Sequence, residues 1–228
     1  MRGTLSRRGL LGGGLLLAAV PWGCTEASAS ARGGPVPEAV PLVYPRRQWW
    51  ARSPKRHARI LGHGPDHLVV HHTDTANSAD LSIDHAFRLS RWIQDFHMNT
   101  RGWDDSGQQL TISRGGYVME GRNRSLAAIR AGVNVMGAQV LGHNDHTLGI
   151  ENEGTYMTVA PPPLLWSSLV AVCAWLCDLY GLDPHTAISG HRDFNSTDCP
   201  GDMLYAMLPE LRRSVAARLT PQVDASWP

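Results

Sequence analysis

His67-Leu68-Val69-Val70-His71-His72, followed by Thr73-Asp74-Thr75, is a short apolar run that ends on two histidines and has no helical character. A run this short, closed by turn-forming polar residues, reads as a buried strand that delivers His71 and His72 at its C-terminal end. That end is where ligands of open α/β sheets gather. The second half of the pattern lies far downstream, in Gly190-His191-Arg192-Asp193-Phe194-Asn195-Ser196-Thr197-Asp198-Cys199-Pro200-Gly201. Its Gly, Asp, Asn, Ser, Thr and Pro make it a loop. Within that loop an imidazole at His191 and a thiol at Cys199 are both good zinc ligands, and one of the two strand histidines is a candidate third.

The stretches between these two ends alternate strand and helix signals. Ile83, Ala86, Leu89, Ile93 and Phe96 recur at helical spacing opposite Arg88, Arg91, Gln94 and Asp95, so an amphipathic helix is expected over 82–98, capped by Asp80 or Ser82. His97 at its polar end reads as a partner for the helix dipole. Gln108 to Ile112 and Tyr117 to Glu120 flank Ser113-Arg114-Gly115-Gly116 and predict a hairpin. Leu148 to Gly154 predicts a further strand whose Glu151 and Glu153, two apart, face one side. A helix is expected from about Leu164 to Tyr180, with Leu165, Leu169, Val172, Leu176 and Leu179 on its buried face and Gly181 as its stop. A brief strand near Ala187-Ile188 and helical turns on either side of Pro209 complete the chain.

The 228 residues allow one generous domain with extensions. Residues 1–31 read as a twin-arginine signal peptide: Ser6-Arg7-Arg8-Gly9 precedes an apolar stretch too short to span a bilayer, and Ala27 to Ala31 offers small residues for cleavage. Export in a folded state, to the medium or the cell envelope, is the expectation. Cys24 raises a lipidated alternative, against which Pro21 and Trp22 stand. Residues 32–45 read as a Pro/Gly-rich linker, 46–220 as the domain and 221–228 as a tail. Pro45-Arg46-Arg47-Gln48-Trp49-Trp50 is expected to be a strap packed on the domain. The net charge of +1 falls to about −1 without the leader, which leaves no surface for nucleic acid. A monomer without a transmembrane segment in its mature form is expected. Cys173 and Cys177, four apart, read as buried small hydrophobes or a strained local disulfide.

Taken in order, His71-His72-Thr73, Ile93 to Met98, Gly102-Trp103-Asp104-Asp105, Glu120-Gly121-Arg122, Gly149-Ile150-Glu151 and His191 with Cys199 resemble the type 2 N-acetylmuramoyl-L-alanine amidases and the related peptidoglycan recognition proteins. The resemblance runs from about Arg47 to Leu219. It implies an α/β single domain of the peptidoglycan recognition protein-like amidase fold, with a central mixed β-sheet flanked by helices. It also implies a Zn2+ ion held by His71, His191 and Cys199 in a groove that takes a glycan strand and its stem peptide. Thr197, two before the third ligand, matches the family position that stabilises the transition state.

Two positions depart from the family pattern. A catalytic tyrosine is replaced by Gln108, and a histidine by Gln139 in Gly137-Ala138-Gln139. Glu151 instead matches the glutamate base of the branch that acts on anhydromuramyl peptides, with Glu153 as its rival. Asp193 or Asn195 is expected to support a ligand from behind. The resemblance thus implies a zinc amidase with Glu151 and Thr197 as catalytic residues. The alternative is a non-catalytic peptidoglycan receptor, favoured by the missing tyrosine and opposed by the intact Cys199. A zinc peptidase of other specificity shares the same metal chemistry.

Overall fold

The computed structural model describes residues 39–220. The expected signal peptide, residues 32–38 of the linker and the tail lie outside the described residues. The elements in order are β1 (Val43–Tyr44), β2 (His67–His72), α1 (Ile83–Asp95), β3 (Leu110–Ile112), β4 (Val118–Glu120), α2 (Ser125–Arg130), β5 (Thr147–Asn152), α3 (Pro163–Tyr180), α4 (Pro184–Ala187), β6 (Ile188–Gly190), α5 (Asp202–Ala206) and α6 (Leu208–Leu219). A single turn of π-helix, Phe96–Thr100, extends α1, and a 3-10 turn, His191–Asp193, follows β6.

The strands form one six-stranded sheet in the order β1-β4-β3-β5-β2-β6. Every neighbouring pair is parallel except the β3–β4 hairpin, which is antiparallel. The sheet is therefore mixed, as the resemblance implies, and β2 and β5 sit inside it. One face carries Leu68, Val70, Leu110, Ile112, Leu148 and Ile150 into the main core beneath α3 and α6. Alternation along each strand sends Val69, His71, Gly149 and Glu151 to the other face. The expected strand at 67–72 and the hairpin hold closely.

Three local expectations are corrected. Val43–Tyr44, placed in the linker, is an edge strand paired in parallel with Val118–Met119, so the domain starts before Arg46. Leu179 is 39% exposed rather than buried, because the face of α3 that meets the core is carried by Leu165, Leu169, Val172, Cys173 and Leu176. His97 belongs to the π-helical turn and does not sit at the end of a regular helix. Cys173 and Cys177 are free and buried, acting as small core residues. α3 has the length and hydropathy to cross a bilayer, yet its apolar side chains fill the core.

The strap behaves as expected. Trp49 is fully buried, its Nε1–H donates to Glu120 O at 3.0 Å, and the Arg46 guanidinium lies over its ring at 5.2 Å. Arg46 also pairs with the fully buried Asp105 at 3.1 Å, whose carboxylate accepts further bonds from Gln94 and from the backbone and side chain of Asn123. Asp105 is thus a structural hub: four groups compensate one buried charge.

Candidate metal centre

Strand register assembles the site. β2 pairs with β5 so that His71 stands opposite Glu151, and with β6 so that Val70 stands opposite Gly190. His191, the next residue after β6, therefore emerges beside His71, with ring centroids 4.5 Å apart. Cys199 returns from the far side of the loop and sets its Sγ 3.6 Å from His71 Nδ1. The ligand atoms of His71, His191 and Cys199 all lie within 4.8 Å of one another. The sequence offered these three residues 128 positions apart at most. Only the parallel order β5-β2-β6 makes them neighbours.

Each imidazole is held from behind by a side-chain amide. His71 Nε2 meets Gln139 Oε1 at 2.6 Å. An amide oxygen carries no proton, so this ring nitrogen is N–H and Nδ1 keeps its lone pair for the cavity. The orientation of the amide is itself determined: Gln139 Nε2 donates to Thr147 Oγ1 at 2.8 Å, and that hydroxyl donates to His143 O at 2.7 Å. Gln139 reaches His71 by lying across β5 at Gly149, where a Cβ would come within 2.7 Å of its side chain. His191 is treated alike. Its Nε2–H faces Asn195 Oδ1 at 3.2 Å, while Asn195 Nδ2 donates to Leu141 O at 3.1 Å and Phe194 O at 3.0 Å.

The thiol is positioned by backbone. His72 N–H donates to Cys199 Sγ at 3.4 Å. The His72 ring points to the opposite face and accepts from Tyr156 N–H at 3.4 Å. Asp193 caps the 3-10 turn, accepting from Gly190 N–H at 2.8 Å and from the Tyr205 hydroxyl at 2.5 Å. Of the two residues expected to support a ligand, Asn195 touches one and Asp193 shapes the turn.

Electrostatics follow from burial. Desolvation, aided by the neighbouring His191, holds His71 down to about 3. Burial likewise pushes the Cys199 thiol up to about 12 and lifts the Glu151 carboxyl to about 8. Glu151 Oε2 is shielded from solvent and has no hydrogen-bond partner among the described residues. For the Cys199 thiol burial outweighs the favourable charge of Arg192, for Glu151 burial acts alone, and a divalent cation between the three donors would offset both. Two neutral imidazoles, one thiol and an open side toward a carboxylate fit the donor chemistry of zinc with three protein ligands.

The cavity has a volume of about 460 Å³ and is lined by the three candidate ligands, Glu151, Gln108, Thr197, His97 and Trp103. Many of the same residues line an adjoining groove of about 800 Å³ that runs toward Phe96, Arg101 and Leu141. Thr197 Oγ1 accepts from Cys199 N–H at 3.2 Å, which leaves its own proton to donate. Gln108 donates from Nε2 to Thr111 Oγ1 at 2.9 Å, and its buried Oε1 has no partner among the described residues. Glu153 lies elsewhere: its two oxygens accept from His85 Nε2 at 2.6 Å and Arg114 N–H at 2.7 Å. His97, read from sequence as a dipole partner, is instead a wall of the cavity. Its ring stacks on Trp103 at 4.6 Å and its Nδ1 accepts from Gly107 N–H at 3.2 Å. The π-helical turn rotates it inward, and a helical-spacing argument has no means of showing that.

Comparison with known proteins agrees with this geometry. The family profile described as N-acetylmuramoyl-L-alanine amidase matches residues 61–202. The chain is 31% identical over 171 residues to an N-acetylmuramoyl-L-alanine amidase of Homo sapiens, covering 74% of this chain and 28% of that protein. It is 31% identical over 168 residues to peptidoglycan-recognition protein LB of Drosophila melanogaster, covering 74% of this chain and 68% of the relative. Among solved structures, wild-type Drosophila PGRP-LB superposes with a TM-score of 0.64 at 28% identity, over 81% of this chain and 99% of that one. Peptidoglycan recognition protein-LE in complex with tracheal cytotoxin, a monomeric diaminopimelic acid-type peptidoglycan, gives 0.64 at 27% identity over 74% and 92%. With the family profile matched over more than half of its length and the sheet in place, this chain belongs to the N-acetylmuramoyl-L-alanine amidase family of peptidoglycan recognition protein-like fold.

Proposed function

We propose that the chain is a zinc amidase that hydrolyses the amide between the lactyl group of N-acetylmuramic acid and the L-alanine of the stem peptide. The observation that carries the reading is the row Glu151, His71, His191 across three adjacent parallel strands, closed by Cys199, with a shielded carboxylate oxygen left unpartnered. His71, His191 and Cys199 would hold the ion. When bound, zinc supplies Lewis acidity that polarises a carbonyl and activates water at neutral pH.

The chain's own groups supply the rest. Glu151 takes the proton of the attacking water and returns it to the departing alanine amine, a contribution on the order of 10² to 10⁴ in rate. The Thr197 hydroxyl, fixed by Cys199 N–H and free to donate, faces the developing oxyanion, where a well-placed donor is worth about 3 to 4 kcal/mol. Gln108 cannot act as acid or base; its unpartnered Oε1 accepts a substrate N–H. The groove past Trp103 and Arg101 has room for glycan and peptide, and the LE relative that holds tracheal cytotoxin supports a peptidoglycan fragment as its occupant. The Arg7-Arg8 leader supports export through the twin-arginine route, where this polymer is met.

Gln108 in place of the family tyrosine favours one second reading, a receptor that binds without cleaving. Mass spectrometry of muropeptides after digestion separates the two: free stem peptides with an L-alanine amino terminus are expected. Intact muropeptides from zinc-loaded protein would leave the receptor. Glu151→Gln is expected to keep the metal and lose turnover by at least about 10²; wild-type turnover in that variant sinks the assignment of the base.

A further inference from the structure

At the other end of β2 and β5, away from the groove, a second cluster of ligating side chains stands on its own. Asp66 immediately precedes β2, His67 begins it, and His146 immediately precedes β5; the strands pair His67 with Thr147. Asp66 N–H donates to His146 O at 2.9 Å, so backbone holds the three residues together. His67 Nδ1 and His146 Nδ1 converge on the same carboxylate oxygen, Asp66 Oδ1, at 2.8 and 2.7 Å. The three ligand atoms lie within 4.8 Å of one another. His67 and His71 are four residues apart on one strand, so this cluster sits roughly 13 Å from the candidate metal centre.

The surroundings are those of a ligand set. His146 Nε2 is 3.0 Å from His143 Nδ1, the contact that orients a ligating imidazole from behind. Phe194 packs edge-on to His67 at 5.5 Å and against His143 at 5.0 Å, giving one apolar wall. Partial desolvation opposes ionisation of Asp66, but hydrogen bonds from His67 and His146 outweigh it and hold the carboxyl below its usual range.

We propose that Asp66, His67 and His146 form a second metal site, for a divalent transition ion of the zinc, copper or nickel class. Two imidazoles and one carboxylate suit that class over calcium or magnesium, which want oxygen ligands. Binding requires each Nδ1 proton to pass through solvent to Nε2, and the His143 Nδ1 proton that faces His146 Nε2 in the metal-free protein to pass to His143 Nε2, with no net proton release. His146 Nε2–H then donates to His143. Metal–nitrogen bonds of about 2.0–2.1 Å set tetrahedral ligands roughly 3.3 Å apart, so the hydrogen-bonded cluster opens by about 0.5 Å. The side chain of Asp66, 62% exposed, can turn that far. The ion would tie β2 to the 137–146 loop, whose Asn144 Oδ1 holds the backbone of Gln139 and Val140.

Titration of untagged, metal-free protein with Zn2+ or Ni2+ tests this. Wild type is expected to bind two equivalents, Asp66→Ala/His146→Ala one, and Cys199→Ser/His191→Ala the other one. His143→Ala should keep the stoichiometry and weaken the second event about tenfold. Long-range 1H–15N spectra of wild type should show the His67 and His146 ring nitrogens shift on the second equivalent. A Cys199→Ser/His191→Ala variant that binds no ion, an Asp66→Ala/His146→Ala variant that binds as many ions as wild type, or unmoved His67 and His146 nitrogens would overturn the proposal. The Cys199→Ser/His191→Ala arm keeps this outcome separate from the fate of the amidase reading.

Discussion

Gln139 shows how much one residue can depend on its neighbours. In the family pattern its position holds a histidine, and the substitution reads from sequence as a loss. In the fold it becomes the group that sets the His71 tautomer, through a chain that ends at His143 O. Gln139→Leu removes the acceptor and is expected to weaken zinc affinity by 10 to 100-fold, while Gln139→Glu, which keeps an acceptor oxygen, should restore most of it. A merely structural role would not move the His71 ring nitrogens; in the Leu variant, metal-free protein should show His71 as a mixture of tautomers by 15N spectroscopy. Unchanged affinity and a single tautomer would mean that Gln139 only packs.

At the scale of the element, the π-helical turn after α1 is what turns His97 from surface to wall. Burial, with Arg101 and Arg122 nearby, holds its imidazole down to about 4. Its unfolded value is the ordinary 6.5, so the folded state resists a proton that the unfolded chain accepts. The sign follows: the contribution is fully present above pH 6.5 and is lost as pH falls from there toward 4. Protonation would also cost the bond from Gly107 N–H. Denaturant unfolding of metal-free protein should show a loss across that window to which buried His71 also contributes, and His97→Gln should reduce it by on the order of 2 kcal/mol. A variant with the same slope as wild type would place the acid sensitivity elsewhere.

For the whole molecule, the strap closes the far side of the sheet from the main core. Trp49, Ala86 and Met119 form a small apolar cluster of their own, and Arg46 links the strap to buried Asp105. Trp49→Ala empties this cluster and leaves Glu120 O without its donor. A loss of about 3 to 5 kcal/mol is expected from equilibrium unfolding. A cost below about 1 kcal/mol would show that the strap can lift without disturbing the domain.

Much of this was legible beforehand, for a physical reason. Strand β2, the hairpin, α1 and α3 announce themselves because burial on one face imposes a period of 2 or 3.6 on the chain itself. Loop residues such as His191, Thr197 and Cys199 can be named as candidates because their donor chemistry is a property of the residue. What local pattern cannot carry is strand order. That β5 and β6 flank β2, in a register that brings Glu151, His71 and His191 level, rests on pairings between residues more than 35 apart. The same holds for the separation of Glu151 from Glu153, equal on paper and divided by the contacts of His85 and Arg114. Hydrogen bonds and burial between distant segments decided those, so residue types and spacing determined which chemistry was on offer, and tertiary structure decided which residues meet to perform it.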